Sequence, residues 1–76
     1  MEERITINPS ICHGKPVIKG TRVLVSNILS SLADGDSIEQ ILKDYPNIIK
    51  EDIFAALSFG SRMSNFENYS YDIIAP

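Results

Sequence analysis

The chain has 76 residues, enough for a single domain, and so short a chain buries only about 60% of the surface that its unfolded form exposes. Hydrophobic residues make up 43%, which is too many for a disordered chain, and the lone Cys12 excludes an internal disulfide. The net charge is −3, the opening MEERI predicts no secretory leader, and no run approaches the roughly 18 apolar residues of a membrane span. We therefore expect a small cytoplasmic protein, away from membranes, that dimerises to extend its core.

Charge is distributed unevenly along the chain. Up to residue 33, four cations face two acids, whereas from residue 34 onward three cations face eight acids. An anionic partner is therefore expected to meet the first half. The alternative is that these charges only keep a small protein soluble.

The first quarter of the chain predicts two short strands. Residues 5–7 read ITI, an apolar-polar alternation, and residues 8–10 read NPS, a turn signal. Val17 and Ile18 predict a second strand that ends at Gly20. A helix is not expected here, because Pro16 disfavours the α region for the residue before it.

Two helices are predicted next, because apolar residues recur at i, i+3, i+4 and i+7. Gly35 suits the left-handed residue that ends a first helix beginning at Val25. Ser37 and Gln40 have capping-box spacing at the start of the second helix, which Pro46 ends. The predicted apolar stripes comprise Val25, Ile28, Leu29 and Leu32, and then Ile38, Ile41, Leu42 and Tyr45.

A third helix is predicted over residues 50–64. Glu51 and Asp52 in its first turn favour the positive end of the helix dipole. Its start lacks a Ser, Thr, Asp or Asn cap, a loss of about 1 kcal/mol. Its expected core face comprises Ile53, Ala56, Leu57, Gly60 and Met63. Residues 65–76 alternate in polarity and carry no helix signal.

Together these elements predict a mainly α fold. Short N-terminal β-strands precede a three-helix, homeodomain-like helix-turn-helix bundle, which is expected to dimerise. The chain, a single domain over residues 1–76, divides into a β segment (1–24), a trihelical core (25–64) and a C-terminal tail (65–76). Small bundles with no nucleic-acid role have the same helix spacing, so spacing alone leaves the function open.

The sequence offers poor candidates for catalysis or for metal and cofactor binding. Residues 14–21, GKPVIKGT, superficially resemble a nucleotide-binding loop, but Lys19 precedes Gly20 instead of following it. Cys12 and His13 are adjacent, and no further Cys or His completes a tetrahedral site. As neighbours on an extended chain they point to opposite faces, which does not suit a nucleophile and its base. We predict a protein that is not an enzyme and uses no metal or cofactor.

Candidate DNA-binding residues lie in the basic segment and around the predicted helix-turn-helix. They are Lys15, Lys19, Arg22, Asn47 and Lys50. Lysine and arginine reach phosphates with charge-assisted bonds. A structural role is the alternative for Arg22, whose guanidinium can also bind carbonyls or an acid at a helix start. Glu51 and Asp52 oppose phosphate, and a pI near 4.9 is unusual for a DNA binder.

One long stretch resembles a known family. Residues 8–57, NPSICHGKPVIKGTRVLVSNILSSLADGDSIEQILKDYPNIIKEDIFAAL, resemble the small bacterial family labelled domain of unknown function 433. The similarity lies in GKPVI-x-GTR, a hydrophobic helix ending in an acid and glycine, a helix ending in Tyr-Pro, and EDI-x-AAL. The resemblance implies that the family's signature segment is formed by Gly14, Lys15, Pro16, Gly20, Thr21 and Arg22. It also implies that Tyr45 and Pro46 mark the turn between helices. The chain departs from the pattern at His13, Leu24 and Ile49, where the family often has Gly, Pro and a capping Thr.

The resemblance implies short strands, a dimeric trihelical core and, for some members, likeness to VapB-type antitoxins encoded beside a PIN-like ribonuclease toxin. One interpretation is an antitoxin-like regulator that binds operator DNA as a dimer and neutralises such a toxin. The toxin contact is then expected, as an added strand or wedge, at Tyr69, Tyr71, Ile73 and Ile74. The other interpretation is a dimeric protein-interaction module without nucleic-acid binding, in which the acidic half of the chain meets a basic ribonuclease partner. For the tail, the alternative to toxin contact is that Ile73 and Ile74 cover an apolar edge of the dimer.

Overall fold

The structure, a computed structural model, describes residues 3–74, with side chains described for residues 3–64. Its elements are β1 (Ile5–Thr6), β2 (Val17–Ile18), α1 (Val25–Ala33), α2 (Ile38–Asp44) and α3 (Lys50–Ile74). A two-stranded antiparallel sheet therefore precedes three helices, and the predicted mainly α fold is confirmed. Dimerisation stays a prediction. No helix in the described range is both long and apolar enough to cross a bilayer.

The sheet is short and continues into a second turn. Ile5 lies opposite Ile18 in β1 and β2, and both side chains are buried. The Ile18 N–H also donates to the Val23 carbonyl at 3.0 Å, and the Val25 N–H donates to the Pro16 carbonyl at 3.1 Å. The chain thus folds back on itself between β2 and the first residue of α1. The turn at residues 19–22 therefore lies at the tip of this folded-back segment, where residues 19, 20 and 22 are exposed.

The predicted helix signals around Gly35 and Ser37 are confirmed. Gly35 has φ +94°, and its N–H donates to the Leu32 carbonyl at 3.0 Å while the following amide reaches residue 31, which is a Schellman motif. The Ser37 Oγ accepts from the Gln40 N–H at 3.1 Å. The Gln40 side chain donates to Asp44 instead of returning to the cap, so only half of the capping box forms.

The core lies where the sheet and three helices meet. The apolar stripes predicted for α1 and α2 are confirmed, because every member is buried or packs against the core. Each fully buried aliphatic side chain contributes about 1.5–3 kcal/mol relative to an exposed one. The largest fully buried side chains are Ile18, Ile28, Ile41, Ile53, Val17 and Val25.

The predicted core face of α3 is partly wrong. Ile53 and Ala56 are fully buried, but Leu57 is 44% exposed and Met63 is 50% exposed. Leu57 is one residue, or about 100°, around the helix from Ala56, which places it at the edge of the covered face. Met63 lies close to the direction of Ala56, but α1 and α2 have only 9 and 7 residues and cannot cover a helix of 25 residues.

The end predicted for the third helix is also wrong, because α3 continues ten residues past residue 64 to Ile74. Residues 61–74 contain neither glycine nor proline, so nothing in that stretch interrupts a helical backbone. The polar-apolar alternation of this stretch led to the wrong prediction, because without helix-breaking residues the chain stays helical. At about 1.5 Å per residue, α3 is about 37 Å long and accounts for most of the longest dimension of 45 Å.

Candidate functional site

The turn after β2 is organised by Thr21. Its hydroxyl donates to the Ile18 carbonyl at 2.8 Å and accepts from the Val23 N–H at 3.0 Å. Its backbone N–H donates to the same Ile18 carbonyl at 3.0 Å. Gly20 has φ +81°, a left-handed conformation that glycine adopts without strain. These bonds fix the backbone from which the Arg22 side chain extends.

A second turn supports Arg22 from the other side. Cys12, His13 and Gly14 all have positive φ values, of 50°, 59° and 79°. The Gly14 N–H donates to the Ile11 carbonyl at 3.0 Å, and the Cys12 thiol donates a long hydrogen bond to the Arg22 carbonyl at 3.8 Å. Sequence reasoning missed this left-handed turn. The local signal was Gly14, together with the glycine that the resembled family often carries at position 13.

Two predicted DNA-binding residues from distant parts of the chain line one shallow depression. Arg22, from the turn after β2, and Asn47, from the turn between α2 and α3, lie there with Ile11, Gly20 and Thr21. We call these five residues the Arg22 depression. Within the described part of the chain, neither the Arg22 guanidinium nor the Asn47 carboxamide has a hydrogen-bond partner. Both residues are also exposed.

Lys19 lies elsewhere, in a depression that carries its own counter-charges. This Asp52 depression is lined by Glu3, Arg4, Lys19 and Asp52. The Arg4 Nη1 is 3.1 Å from the Asp52 Oδ1, and Asp52 is only 7% exposed. The role considered for Arg22, binding an acid at a helix start, thus belongs to Arg4 here. Sequence reasoning missed the pair, whose members are 48 residues apart.

Asp52 also caps α3. Its Oδ2 accepts from the Ile49 N–H at 3.0 Å, and its own N–H donates to the Ile49 carbonyl at 2.9 Å. Ile49, which precedes the helix, has no capping side chain, as predicted, but an acid at the third helical position satisfies its free amide and so supplies half of a capping box. One of the two acids expected to oppose phosphate is thus buried and bonded, while Glu51 remains exposed.

Lys15 and Lys50, the other predicted DNA-binding residues, are both exposed, just after the left-handed turn and at the first position of α3. The toxin-contact residues Tyr69, Tyr71, Ile73 and Ile74 have backbone positions in α3, but their side chains lie outside the described ones. Among the side chains that the structure does describe, no group of three His, Cys, Asp or Glu is placed to hold a metal ion.

The outer face of α3 carries an apolar pair that sequence reasoning missed. Phe54 is 49% exposed and Leu57 is 44% exposed. Because they are three positions apart, they are neighbours on one side of the helix. Large contiguous apolar patches mark protein-contact surfaces, and this pair is a candidate for part of one. The signal was available in the sequence, but Leu57 was placed in the core.

Comparisons with known proteins concern mainly the body of the molecule. Residues 5–60 match the family model described as "Protein of unknown function (DUF433)". The uncharacterized protein y4eO of Sinorhizobium fredii (strain NBRC 101917 / NGR234) is 41% identical over 51 residues. That alignment covers 67% of this chain and 23% of y4eO, so the chain spans less than a quarter of that relative's length.

A solved structure extends the similarity to most of the chain. The crystal structure of a DUF433 member protein from Anabaena variabilis ATCC 29413, at 2.00 Å resolution, matches with a TM-score of 0.76 and 27% identity. The match covers 96% of this chain and 70% of the other. The family model ends at Gly60, where a Cβ would lie 3.0 Å from the Leu29 Cδ1, so the matched region includes the close contact between α3 and α1.

Proposed function

This chain belongs to the DUF433 family, and we propose that it is an antitoxin-like regulator that binds operator DNA as a dimer. The observation that carries the proposal is the Arg22 depression. There an arginine and an asparagine, both without partners among the described residues, adjoin the turn of the helix-turn-helix. Arginine and asparagine are among the residues that bind DNA phosphates and base edges.

The α3 helix start supports DNA contact more than its sequence indicates. Asp52 is buried and bonded to Arg4 and to the Ile49 N–H. Glu51 is therefore the one exposed acid of this first turn that would repel a phosphate, and it lies beside the exposed cation Lys50. The outer face continues with Phe54 and Leu57, which offer no hydrogen bonds to bases. We therefore expect affinity to come mainly from phosphates, with modest sequence discrimination and strong salt dependence.

The direct test is an electrophoretic shift assay with the DNA upstream of the protein's own gene at low salt. We expect Arg22→Gln to weaken binding about tenfold, as for a lost charge-assisted contact. The matched control is Arg62→Gln, which removes an exposed guanidinium from α3 beyond the core and should change affinity less than about twofold. No shift for the parent protein, or equal losses in both variants, would contradict the proposal.

A protein-interaction role is the second candidate, and the exposed Phe54 and Leu57 favour it. Under this proposal the outer face of α3 binds a partner such as a PIN-like ribonuclease encoded by the neighbouring gene. Leu57→Ser should then abolish co-purification with that ribonuclease while the melting temperature changes little. Ser61→Ala, an exposed position one turn further along α3, is the control. Retained co-purification of the Leu57 variant would remove this surface from the proposal.

A further inference from the structure

We propose that the Arg22 depression is a discrete site for one phosphate group. The site is built from residues of three segments: Ile11, which precedes the left-handed turn, Gly20 to Arg22 in the turn after β2, and Asn47 in the turn between α2 and α3. The proposal deepens the DNA-binding function above and shares its interface, but it makes a claim that generic electrostatic attraction to DNA does not.

Backbone amides add to the side-chain donors of this site. Within the described part of the chain, the N–H groups of Gly20 and Arg22 have no hydrogen-bond partner, and both residues line the depression. Together with the Arg22 guanidinium and the Asn47 carboxamide, they form a set made mainly of donors. Tetrahedral oxyanions are acceptors, and backbone N–H groups next to arginine are a recurrent way to hold them.

Thr21 serves the site without binding the ligand. Its hydroxyl is already engaged by the Ile18 carbonyl and the Val23 N–H, so it holds the turn in place. The Cys12 thiol adds a weak hydrogen bond to the Arg22 carbonyl. Because these bonds exist without a ligand, the backbone of the turn, with its two amide donors, is held in place before an anion binds.

Charge explains why the phosphate site lies here and not beside Lys19. The Arg22 depression contains no acid among its lining residues, whereas the Asp52 depression contains Glu3 and Asp52 beside its two cations. An anion near Lys19 would meet two carboxylates, and one of them is already bonded to Arg4. Like charges at short range disfavour that position.

The experiment is a ¹H–¹⁵N correlation titration of the full chain with inorganic phosphate at constant ionic strength. We expect saturable shifts concentrated on the amides of Gly20, Arg22 and Asn47. Arg22→Gln should weaken phosphate binding about tenfold, and Asn47→Ala about threefold. Lys19→Gln, the matched loss of a cation from the neighbouring turn residue, should change it less than about twofold.

Parallel titrations identify the source of the phosphate. A 5′-mononucleotide and a short DNA duplex are added to separate samples. Saturable binding of inorganic phosphate and of the duplex at the same amides supports a backbone phosphate. Binding of the mononucleotide but not of the duplex supports the phosphate site, with a free nucleotide as its ligand. That outcome contradicts only the proposed DNA-binding function.

The two proposals fail in different ways. If inorganic phosphate produces only non-saturating shifts spread over Lys15, Lys19 and Lys50, the phosphate site is wrong, even where the duplex still binds. If Lys19→Gln weakens phosphate binding as much as Arg22→Gln, the location is wrong. If phosphate binds saturably but the electrophoretic shift assay shows no DNA binding, the phosphate site is supported and the proposed DNA-binding function is contradicted.

Discussion

Two depressions on this small protein each contain arginine, and they use it differently. In the Asp52 depression, Arg4 bonds a buried carboxylate that also caps α3, and two acids match two cations. In the Arg22 depression the only charged lining residue is Arg22, with no partner among the described residues. An overall charge of −3 therefore conceals a local donor site, because no acid lines the Arg22 depression and the buried acid Asp52 is bonded to Arg4.

The comparison is most strongly tested by removing the acid. Asp52→Ala deletes the cap on the Ile49 N–H and the partner of Arg4, so we expect the free energy of unfolding to fall by about 2 kcal/mol. For a chain of this size the melting temperature should fall by roughly 8–16 °C, measured by circular dichroism. The control is Glu51→Ala, an exposed acid in the same turn, which should stay within about 0.5 kcal/mol. Equal losses would contradict the structural role of Asp52.

On the other side, the Arg22 depression depends on the Thr21 hydroxyl. Thr21→Val keeps the shape of the side chain but loses the two hydrogen bonds of the hydroxyl. We expect the free energy of unfolding, measured by urea denaturation, to fall by about 1–2 kcal/mol. Thr21→Ser keeps the hydroxyl and should lose no more than about 0.5 kcal/mol. If serine and valine behave alike, the branched side chain and not its hydroxyl holds the turn.

The two arginines can be compared directly. Arg4→Gln should lower the free energy of unfolding by about 0.5–1 kcal/mol, since the Arg4 side chain is 45% exposed and its ion pair is partly screened. Arg22→Gln should change stability by less than about 0.5 kcal/mol and act on ligand binding instead. A larger loss of stability from Arg22→Gln than from Arg4→Gln would reverse the assignment of roles.

The smallest expected effect concerns the left-handed turn that supports Arg22. His13 has φ +59°, so His13→Gly should relieve strain and raise the free energy of unfolding by about 0.5 kcal/mol, after allowance for the greater freedom of glycine when unfolded. His13→Ala keeps a Cβ and should show no gain. Chemical denaturation of both variants against the parent gives the comparison, and a gain for alanine equal to that for glycine would contradict it.

Local sequence signals predicted much of the fold. Gly35 ended α1, Ser37 capped α2 and Pro46 followed its end, because each acts on the backbone within a few residues. Met63 shows the limit of periodicity. Helical spacing gives the direction of a side chain, but whether another helix reaches that point depends on helix lengths and packing.

The candidate site was predictable only in part. Arg22 and Asn47 were selected separately, one as a cation in a basic segment and the other beside the turn. Their shared depression depends on the three-dimensional meeting of turns, which no spacing in the chain records. The Arg4–Asp52 pair was missed for the same reason, although an acid at the third position of a helix was a usable signal for the cap.

The left-handed turn has a consequence for chemical synthesis of this chain. Cys12 and His13 adopt backbone angles that mirror those preferred by L-amino acids. At position 13 a D-alanine would therefore match the native backbone better than L-alanine does. A chain of 76 residues is short enough for assembly by peptide ligation. The D-alanine and L-alanine variants have the same composition and charge, so the difference between their free energies of unfolding would measure the backbone strain in the turn that contacts Arg22.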